Sequence, residues 1–393
     1  MALPISYHYR NVFTRWRSTL ATILGIATVV FVYVAMQSMA AGIKKIGANT
    51  GDPRNLLVTR TGATAESTSQ VTLDQFKTLK YSPELARDPS GEPVISGDLT
   101  VIVNIPRIGG EGNANAIVRG VSPQGKALRP QVKLVAGRWF APGQREVVAS
   151  VRLSKKFADL GIGQVFRAGG NGLTVVGHFD GEKSAFDSEL WMDADETRQI
   201  FDRSNYSSLL VRPRDTEAAK AFALRIENDK RFKLRATPET EYYSKQTQSA
   251  ESFKMLGKFL ATAMSVGAIF AAMNTMYALV GARTREVGTL RVLGYRRRAI
   301  LSGFLIEGAL LATLGGVLGC LSVWALTTYL TTAGIAFGTF SSDTFSESVF
   351  ELKITARLVA EGMVFSVAVG LLGSLLPSLR AARIPVISAL KSI

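Results

Sequence analysis

Arg283-Thr284-Arg285-Glu286-Val287-Gly288-Thr289-Leu290-Arg291-Val292-Leu293-Gly294-Tyr295-Arg296-Arg297-Arg298 is the stretch around which the chain is organised. Apolar runs flank it, Phe259 to Val280 before and Ile300 to Leu330 after. Each is long enough to cross a bilayer, which takes about 20 residues. Six arginines and one acid between two spans place the stretch on the cytoplasmic side. Val287, Leu290 and Leu293 recur every three residues and are expected to share one face of a short helix. Gly294 is a natural stop for it. A charged helix held between two spans points to contact with a cytoplasmic partner, although the charge by itself also serves as an orientation signal.

Composition agrees with a membrane protein. Of 393 residues, 47% are hydrophobic, and the mean hydropathy is positive. The net charge is +15. In a soluble protein that excess would suggest nucleic acid. Here Arg10, Arg15, Arg17, the hinge arginines, Arg380, Arg383 and Lys391 all fall in segments assigned to the cytoplasm, where Glu286 is the only acid. Sidedness explains such charge, so no nucleic-acid partner is expected. The single cysteine, Cys320, allows no intrachain disulfide. His8 and His178 are far apart in sequence, and no zinc site is expected.

Working outward, residues 1–17 read as a cytoplasmic amphipathic helix, with Ile5, Tyr9, Val12, Phe13 and Trp16 at helical spacing. The first transmembrane helix is 18–40. Ser38-Met39-Ala40 looks like a signal cleavage site, but the apolar run exceeds a signal h-region, so an uncleaved anchor is expected. Residues 41–256 form a polar, charge-balanced extracytoplasmic α+β domain. Its strands are expected at Asn55–Thr59, Asp98–Ile105, Ala116–Val121, Glu146–Ser150, Val165–Phe166, Leu173–Phe179 and Glu189–Met192. A helix is expected over Val151–Leu160, ended by Gly161, and another over Asp195–Asp202. Ser208–Val211, Thr216–Asn228 and Phe232–Ala236 read βαβ, with two lobes divided near Asp193. From about residue 237, Thr237-Pro238-Glu239 looks like a helix start, and one unbroken stalk helix is expected into the second span. The remaining segments are 257–282 (second span), 283–298 (hinge), 299–330 (third span), 331–356 (outer loop), 357–377 (fourth span) and 378–393 (cytoplasmic tail). Asp343, Glu347 and Glu351 in the outer loop, without Lys or Arg, fit the outside.

Small residues line two spans: Gly308, Ala312, Gly315, Gly316 and Gly319 in the third, and Gly362, Ser366, Gly370 and Ser374 in the fourth. Such stripes let helices approach closely in lipid, within one bundle or across a subunit interface. Glu307 is an intramembrane acid near the inner edge. An acid there is functional by default, but this depth also lets it reach interfacial water. Glu361 reads as structural. Gly120-Val121-Ser122-Pro123-Gln124-Gly125-Lys126-Ala127 resembles a P-loop without its Ser/Thr and reads as a turn. The scattered carboxylates of the α+β domain read as solvated surface. No catalytic set is found.

The hinge resembles the signature of the FtsX/MacB-like ABC transporter permeases, an R-x-R-E-I-G-x-L-R-A-L-G-like stretch, with Val287 and Val292 as conservative departures. Glu307 resembles the acid that follows it. Pro377, Ala381, Ala382, Pro385 and Ala389 match the family's C-terminal P-x-x-x-A-A-x-x-x-P-x-x-A-L pattern. Gly137-Arg138-Trp139-Phe140, Glu146–Ser150, Gly161-Ile162-Gly163 and Val175-Val176-Gly177 are similar to MacB-like periplasmic core domains. The resemblance implies four transmembrane helices with the large domain inserted after the first. It implies a bacterial inner-membrane location with both termini cytoplasmic. It makes Arg285, Glu286, Val287, Gly288, Leu290, Arg291, Leu293 and Gly294 a coupling helix for a separate cytoplasmic ABC ATPase. ATP and Mg²⁺ would sit on that subunit and no cofactor on this chain. A second permease copy or paralogue, membrane lipid, and a periplasmic adaptor with an outer-membrane channel are the further partners it admits. The expected function is mechanotransmission for efflux or extraction of a hydrophobic or amphipathic substrate. The alternatives are lipoprotein release, regulation of cell-wall hydrolases, and a sensor or scaffold that works without an ATPase.

Overall fold

The computed structural model describes residues 16–109, 112–247, 249–332, 339–340, 348–349, 352 and 354–385. The N-terminal amphipathic helix, most of the outer loop, and Ala389 lie outside them. In chain order the elements are α1 (Trp16–Asn49), β1 (Leu56–Arg60), α2 (Leu73–Lys80), β2 (Ile95–Pro106), β3 (Asn113–Val121), β4 (Lys133–Gly137), β5 (Glu146–Ser150) and α3 (Val151–Ser154). There follow β6 (Val165–Ala168), β7 (Asn171–Asp180), β8 (Glu189–Asp193), α4 (Ala194–Ile200), β9 (Ser208–Val211), α5 (Thr216–Asn228), β10 (Leu234–Pro238) and α6 (Glu239–Gln246). The last helices are α7 (Ser249–Ala282), α8 (Thr284–Val292), α9 (Arg297–Thr332) and α10 (Ala356–Arg383), with a two-strand pairing of Thr339–Phe340 and Ser348–Val349 between α9 and α10.

Two compact units result, an α/β unit built on Ile43–Ser249 and a helical unit built on the long apolar helices. The α/β unit has one mixed sheet in the order β10-β1-β9-β2-β3-β8-β5-β7-β4, with β6 on β7. The β3–β8 and β5–β7 pairs are parallel, and the others are antiparallel. The sequence pattern explains the layering. In β2 the stretch Ile95–Val101 is buried throughout, whereas Ile102, Asn104 and Pro106 alternate outward. Along β7, Leu173, Val175 and Phe179 are the buried positions of the same alternation, with the partly exposed Thr174, Val176 and His178 between them.

Two apolar clusters fill the unit. Val101, Val103, Ile105, Val118, Val147, Phe157, Phe166 and Leu190 form one. Leu56, Val58, Leu79, Leu209, Val211, Phe222, Ile226 and Leu234 form the other. The expected division near Asp193 is therefore not sequential, because β1 and α2 from the chain's beginning pack with β9, α5 and β10 from its end. The β9-α5-β10 crossover is also split, since β1 lies between its two strands and is antiparallel to both.

Two expected helices are shorter than their patterns. Val151–Leu160 is helical only to Ser154. Beyond it the backbone pairs with the end of β2: Ile108 N donates to Lys156 O at 2.9 Å and Ala158 N to Pro106 O at 3.0 Å. The stalk is interrupted. Thr237 and Pro238 stay in β10, α6 starts at Glu239, and Thr247 (φ −89°, ψ 11°) ends it. Thr247 Oγ1 donates to Ser244 O at 2.8 Å, a local bond that competes with helix continuation.

The helical unit contains four helices long and apolar enough to cross a membrane. Ile26, Val30 and Val34 of α1, one turn apart, pack with Ala268, Ala312, Cys320, Val323 and Val369.

Candidate functional site

The hinge forms α8, and its two sides differ. Val287 is buried in a cluster with Met276, Leu279, Val280, Ile300, Phe304 and Ala381, and Gly288 is buried beside it. Leu290 and Arg291 are half-buried, whereas Arg285 and Glu286 are exposed. The expected Val287–Leu290–Leu293 face is not buried as a whole. Val287 is buried and Leu290 half-buried, but Leu293, the C-cap whose amide still donates to Thr289 O at 3.0 Å, is 70% exposed beside Val292 at 62%. Gly294 has φ +91°, a left-handed value that glycine adopts without cost. Leu293, Gly294, Tyr295, Arg296, Arg298 and Ala299 line an open cavity of about 650 Å³. The result is a small apolar tip on a basic turn, backed by a side packed into the helical unit.

Glu307 is 1% exposed, and its partner is Arg283. Arg283 Nη1 donates to Glu307 Oε2 at 3.0 Å and Nη2 to Oε1 at 3.3 Å. Pairing answers what a lone intramembrane acid would leave open, since a buried charge needs a counter-charge. Hydropathy alone did not single out Arg283, which reads there as one of six hinge arginines.

The small residues of α9 and α10 face one another. A methyl group built on Gly308 would lie 2.5 Å from Ser374 Cβ, and one on Gly370 would run into Ala312 Cβ. Ser366 Oγ donates to Ala312 O. Gly315, Gly319 and Gly362 instead receive α1, at Ile26, Ala27 with Val30, and Val34 respectively. Pro377 lies inside α10 and is buried with Ala381 and Ala382, whereas Pro385 follows the helix and is exposed. Glu361 pairs with Arg357 one turn earlier on an exposed face.

Many acids of the α/β unit lie at the surface as expected, but others do not. Glu66, Asp98, Glu189 and Glu239 are fully buried around Arg119 and Arg129. Arg119 holds Glu66 at 3.0 Å and Glu189 at 2.8 Å, and Arg129 holds Asp98 at 2.5 Å. The Arg129 guanidinium also lies over the Phe186 and Trp191 rings. Arg129 Nε and Glu239 Oε1 are 3.5 Å apart, an ion pair without a hydrogen bond. Glu239 Oε2 accepts from Asp52 N and Asn55 Nδ2, so the start of α6 is tied to the segment before β1. The P-loop-like stretch begins inside β3, at Gly120 and Val121, and only its second half is a turn, one tight helical turn over Pro123–Gly125 after which Lys126 sits over Trp139 and Phe140.

Burial opposes ionisation of Glu66, but Arg119's charge and hydrogen bonds, with Ser208 and Arg129, outweigh it and bring its pKa down to about 2. A lowered carboxylate stabilises the fold above its unfolded value and stops doing so as pH falls through the folded one. The full chain in detergent is therefore expected to lose stability between about pH 4.5 and 2. Glu66→Gln should flatten that dependence in near-UV circular dichroism melts, and an unchanged slope would show that Glu66 is not its source. Glu239 acts in the opposite sense. Burial raises its pKa against the pull of Arg129, so its contribution declines as pH rises past the unfolded value.

A family profile described as the MacB-like periplasmic core domain matches residues 18–229, and one described as the FtsX-like permease C-terminal matches residues 258–386. The macrolide export ATP-binding/permease protein MacB of Rhodopseudomonas palustris (strain HaA2) is 27% identical over 398 residues, covering 94% of this chain and 57% of the relative. The uncharacterized ABC transporter permease YknZ of Bacillus subtilis (strain 168) is 24% identical, covering 72% of this chain and 71% of its own. The crystal structure of the periplasmic region of MacB from Actinobacillus actinomycetemcomitans overlays on 51% of this chain and 95% of that one, at 14% identity and a TM-score of 0.38. The chain thus spans a little over half the length of the MacB relative. One profile covers more than half of these residues and the other takes in α8, Glu307 and all of α10, so the chain belongs to the FtsX/MacB-like family of ABC transporter permeases.

Proposed function

We propose that this permease passes ATP-driven motion of a cytoplasmic ABC ATPase to the α/β unit outside the inner membrane, for efflux or extraction of a hydrophobic or amphipathic substrate. The observation that carries the reading is the exposed Val292–Leu293 tip on α8. Two large apolar side chains stand in water beside Arg296, Arg297 and Arg298, while Val287 and Gly288 lock the opposite side. An apolar tip with a basic rim fits a shallow groove on a protein partner. Arg285, Glu286, Leu290, Arg291 and Gly294 shape the same surface. In this reading ATP and Mg²⁺ are held by the partner. The MacB relative's name joins ATP binding with macrolide export, which supports both the nucleotide partner and the efflux direction. Two copies, or this chain and a paralogue, form the working permease, with both termini cytoplasmic.

Leu293→Asp tests the docking. Purified wild-type chain is expected to carry an ABC ATPase with it, and the variant to lose association by roughly tenfold, the cost of one buried interface anchor. Arg357→Gln, in an exposed pair on α10, serves as the control with no loss. Full association of Leu293→Asp would mean that α8 is not the docking element.

A further inference from the structure

One residue joins α7 to α8. Arg283 has φ −111° and ψ 14°, off the helical values, and its amide donates to Val280 O at 3.2 Å. The backbone turns there, so no continuous rod runs from α7 into α8. Displacement of α8 could be absorbed by bending at this point. The side chain of the same residue crosses to a different helix. Both terminal nitrogens of Arg283 meet both oxygens of Glu307, in the third turn of α9, with the two residues 8% and 1% exposed. A forked guanidinium–carboxylate pair sets orientation as well as distance, which apolar packing alone does less sharply. Burial shields it from salt and water. Arg283 is the N-cap of α8, its carbonyl accepting from Val287 N at 3.0 Å, so the charged pair fixes the start of α8 to α9. Val287 of α8 and Ile300 and Phe304 of α9 also share one apolar cluster with Met276, Leu279 and Val280 of α7 and Ala381 of α10.

We infer that the Arg283–Glu307 pair is a positioning joint that makes α8 and α9 move as one body. Displacement at the Leu293 tip is then carried into α9 and is not dissipated at the α7–α8 bend. The mechanical consequence rests on α8 being the docking element, but the rigidity of the joint does not.

The test places spin labels at Thr289→Cys and Thr328→Cys, both exposed, in a full-length Cys320→Ala chain in nanodiscs. With the pair intact the label-to-label distance distribution is narrow. Arg283→Met/Glu307→Leu removes both charges and leaves no orphaned ion, so its melting temperature stays near wild type. Its distribution is expected to roughly double in width as the fork is lost. Arg283→Lys keeps the charge without the fork and should broaden less. A double variant as narrow as wild type overturns the proposal, and if that variant does not fold, a wild-type width in Arg283→Lys overturns it instead. A second arm adds the co-purified ATPase with ATP and vanadate. The wild-type distance should not change between the nucleotide-free and trapped states, and a change would overturn the one-body claim. If no ATPase co-purifies with the wild type, the docking reading fails and the first arm still decides the joint.

Discussion

Arg119→Met is expected to unfold the α/β unit. Arg119 extends from β3 between two carboxylates, holding Glu66 through Nη1 and Nη2 and Glu189 through Nε and Nη2. Without it, Glu66 keeps Ser208 and Tyr243 as donors and Glu189 keeps Trp191, none of them cationic. Removing one member of a buried ion pair costs about 3–5 kcal/mol. A domain's whole stability is about 5–15 kcal/mol. The loss is therefore large enough to dominate, and two stranded acids in place of one push it towards the upper end. Arg138→Ala is the matched control. Its pair with Glu146 involves an exposed guanidinium, and surface pairs of this kind contribute little to stability. Thermal melts of the full chain and limited proteolysis of Ile43–Ser249 separate the two. Arg119→Met/Glu66→Gln/Glu189→Gln should recover part of the loss by neutralising what Arg119 left behind. An Arg119→Met chain that melts like Arg138→Ala would show that the buried charges do not hold the sheet.

Gly370→Leu should prevent α9 and α10 from packing. At Gly370 even a methyl group would collide with Ala312 Cβ and sit 2.9 Å from Gly308 O, and the backbone carbonyl cannot yield as a flexible side chain would. Overpacking in a core costs about 1–3 kcal/mol and sometimes more. Helices in lipid gain little from hydrophobicity and depend on close approach, so the consequence here is separation of the pair. Gly281→Ala is the contrast. Nothing lies within 4 Å of a methyl at that α7 position, and alanine should be neutral or slightly better. Resistance to detergent unfolding, followed by far-UV circular dichroism, reads the difference. If Gly370→Leu were as resistant as Gly281→Ala, small residues would not be what sets the α9–α10 distance.

The spans and the hinge were legible because their signals are local. A long uncharged run, an arginine cluster and a four-residue stripe of Gly and Ser can each be read within one segment. The buried acids were not. Glu66 and Glu239 look like surface residues in their own neighbourhoods, and the arginines that neutralise them lie 53 and 110 positions away. Arg283 was hidden by its own company, since charge density identifies the side of the membrane and says nothing of which guanidinium turns inward. The exposure of Leu293 was not legible because spacing along a helix does not say how far along it the neighbouring helices reach; Val287 is covered and Leu293 is not. The break at Thr247 has no Gly or Pro to announce it. One missed helix did leave a mark: Thr72-Leu73-Asp74-Gln75 is a capping box, and α2 begins there with both reciprocal bonds made.

The position of β1 has a consequence for how the molecule is made. Leu56 pairs with Val211 on one side and Pro238 on the other, so both neighbours of β1 are synthesised about 150 to 180 residues after it. Closing loops of that length carries an entropy cost that rises with the logarithm of their size, and sheets completed this way form slowly. For the interval the nascent chain carries Leu-Leu-Val-Thr-Arg with both edges bare, a ready template for pairing with the wrong strand. Translation that stalls before residue 208 would release a chain containing β2 to β8 and an orphaned β1. Early survival of this protein thus depends on how long one five-residue strand can be kept from strangers.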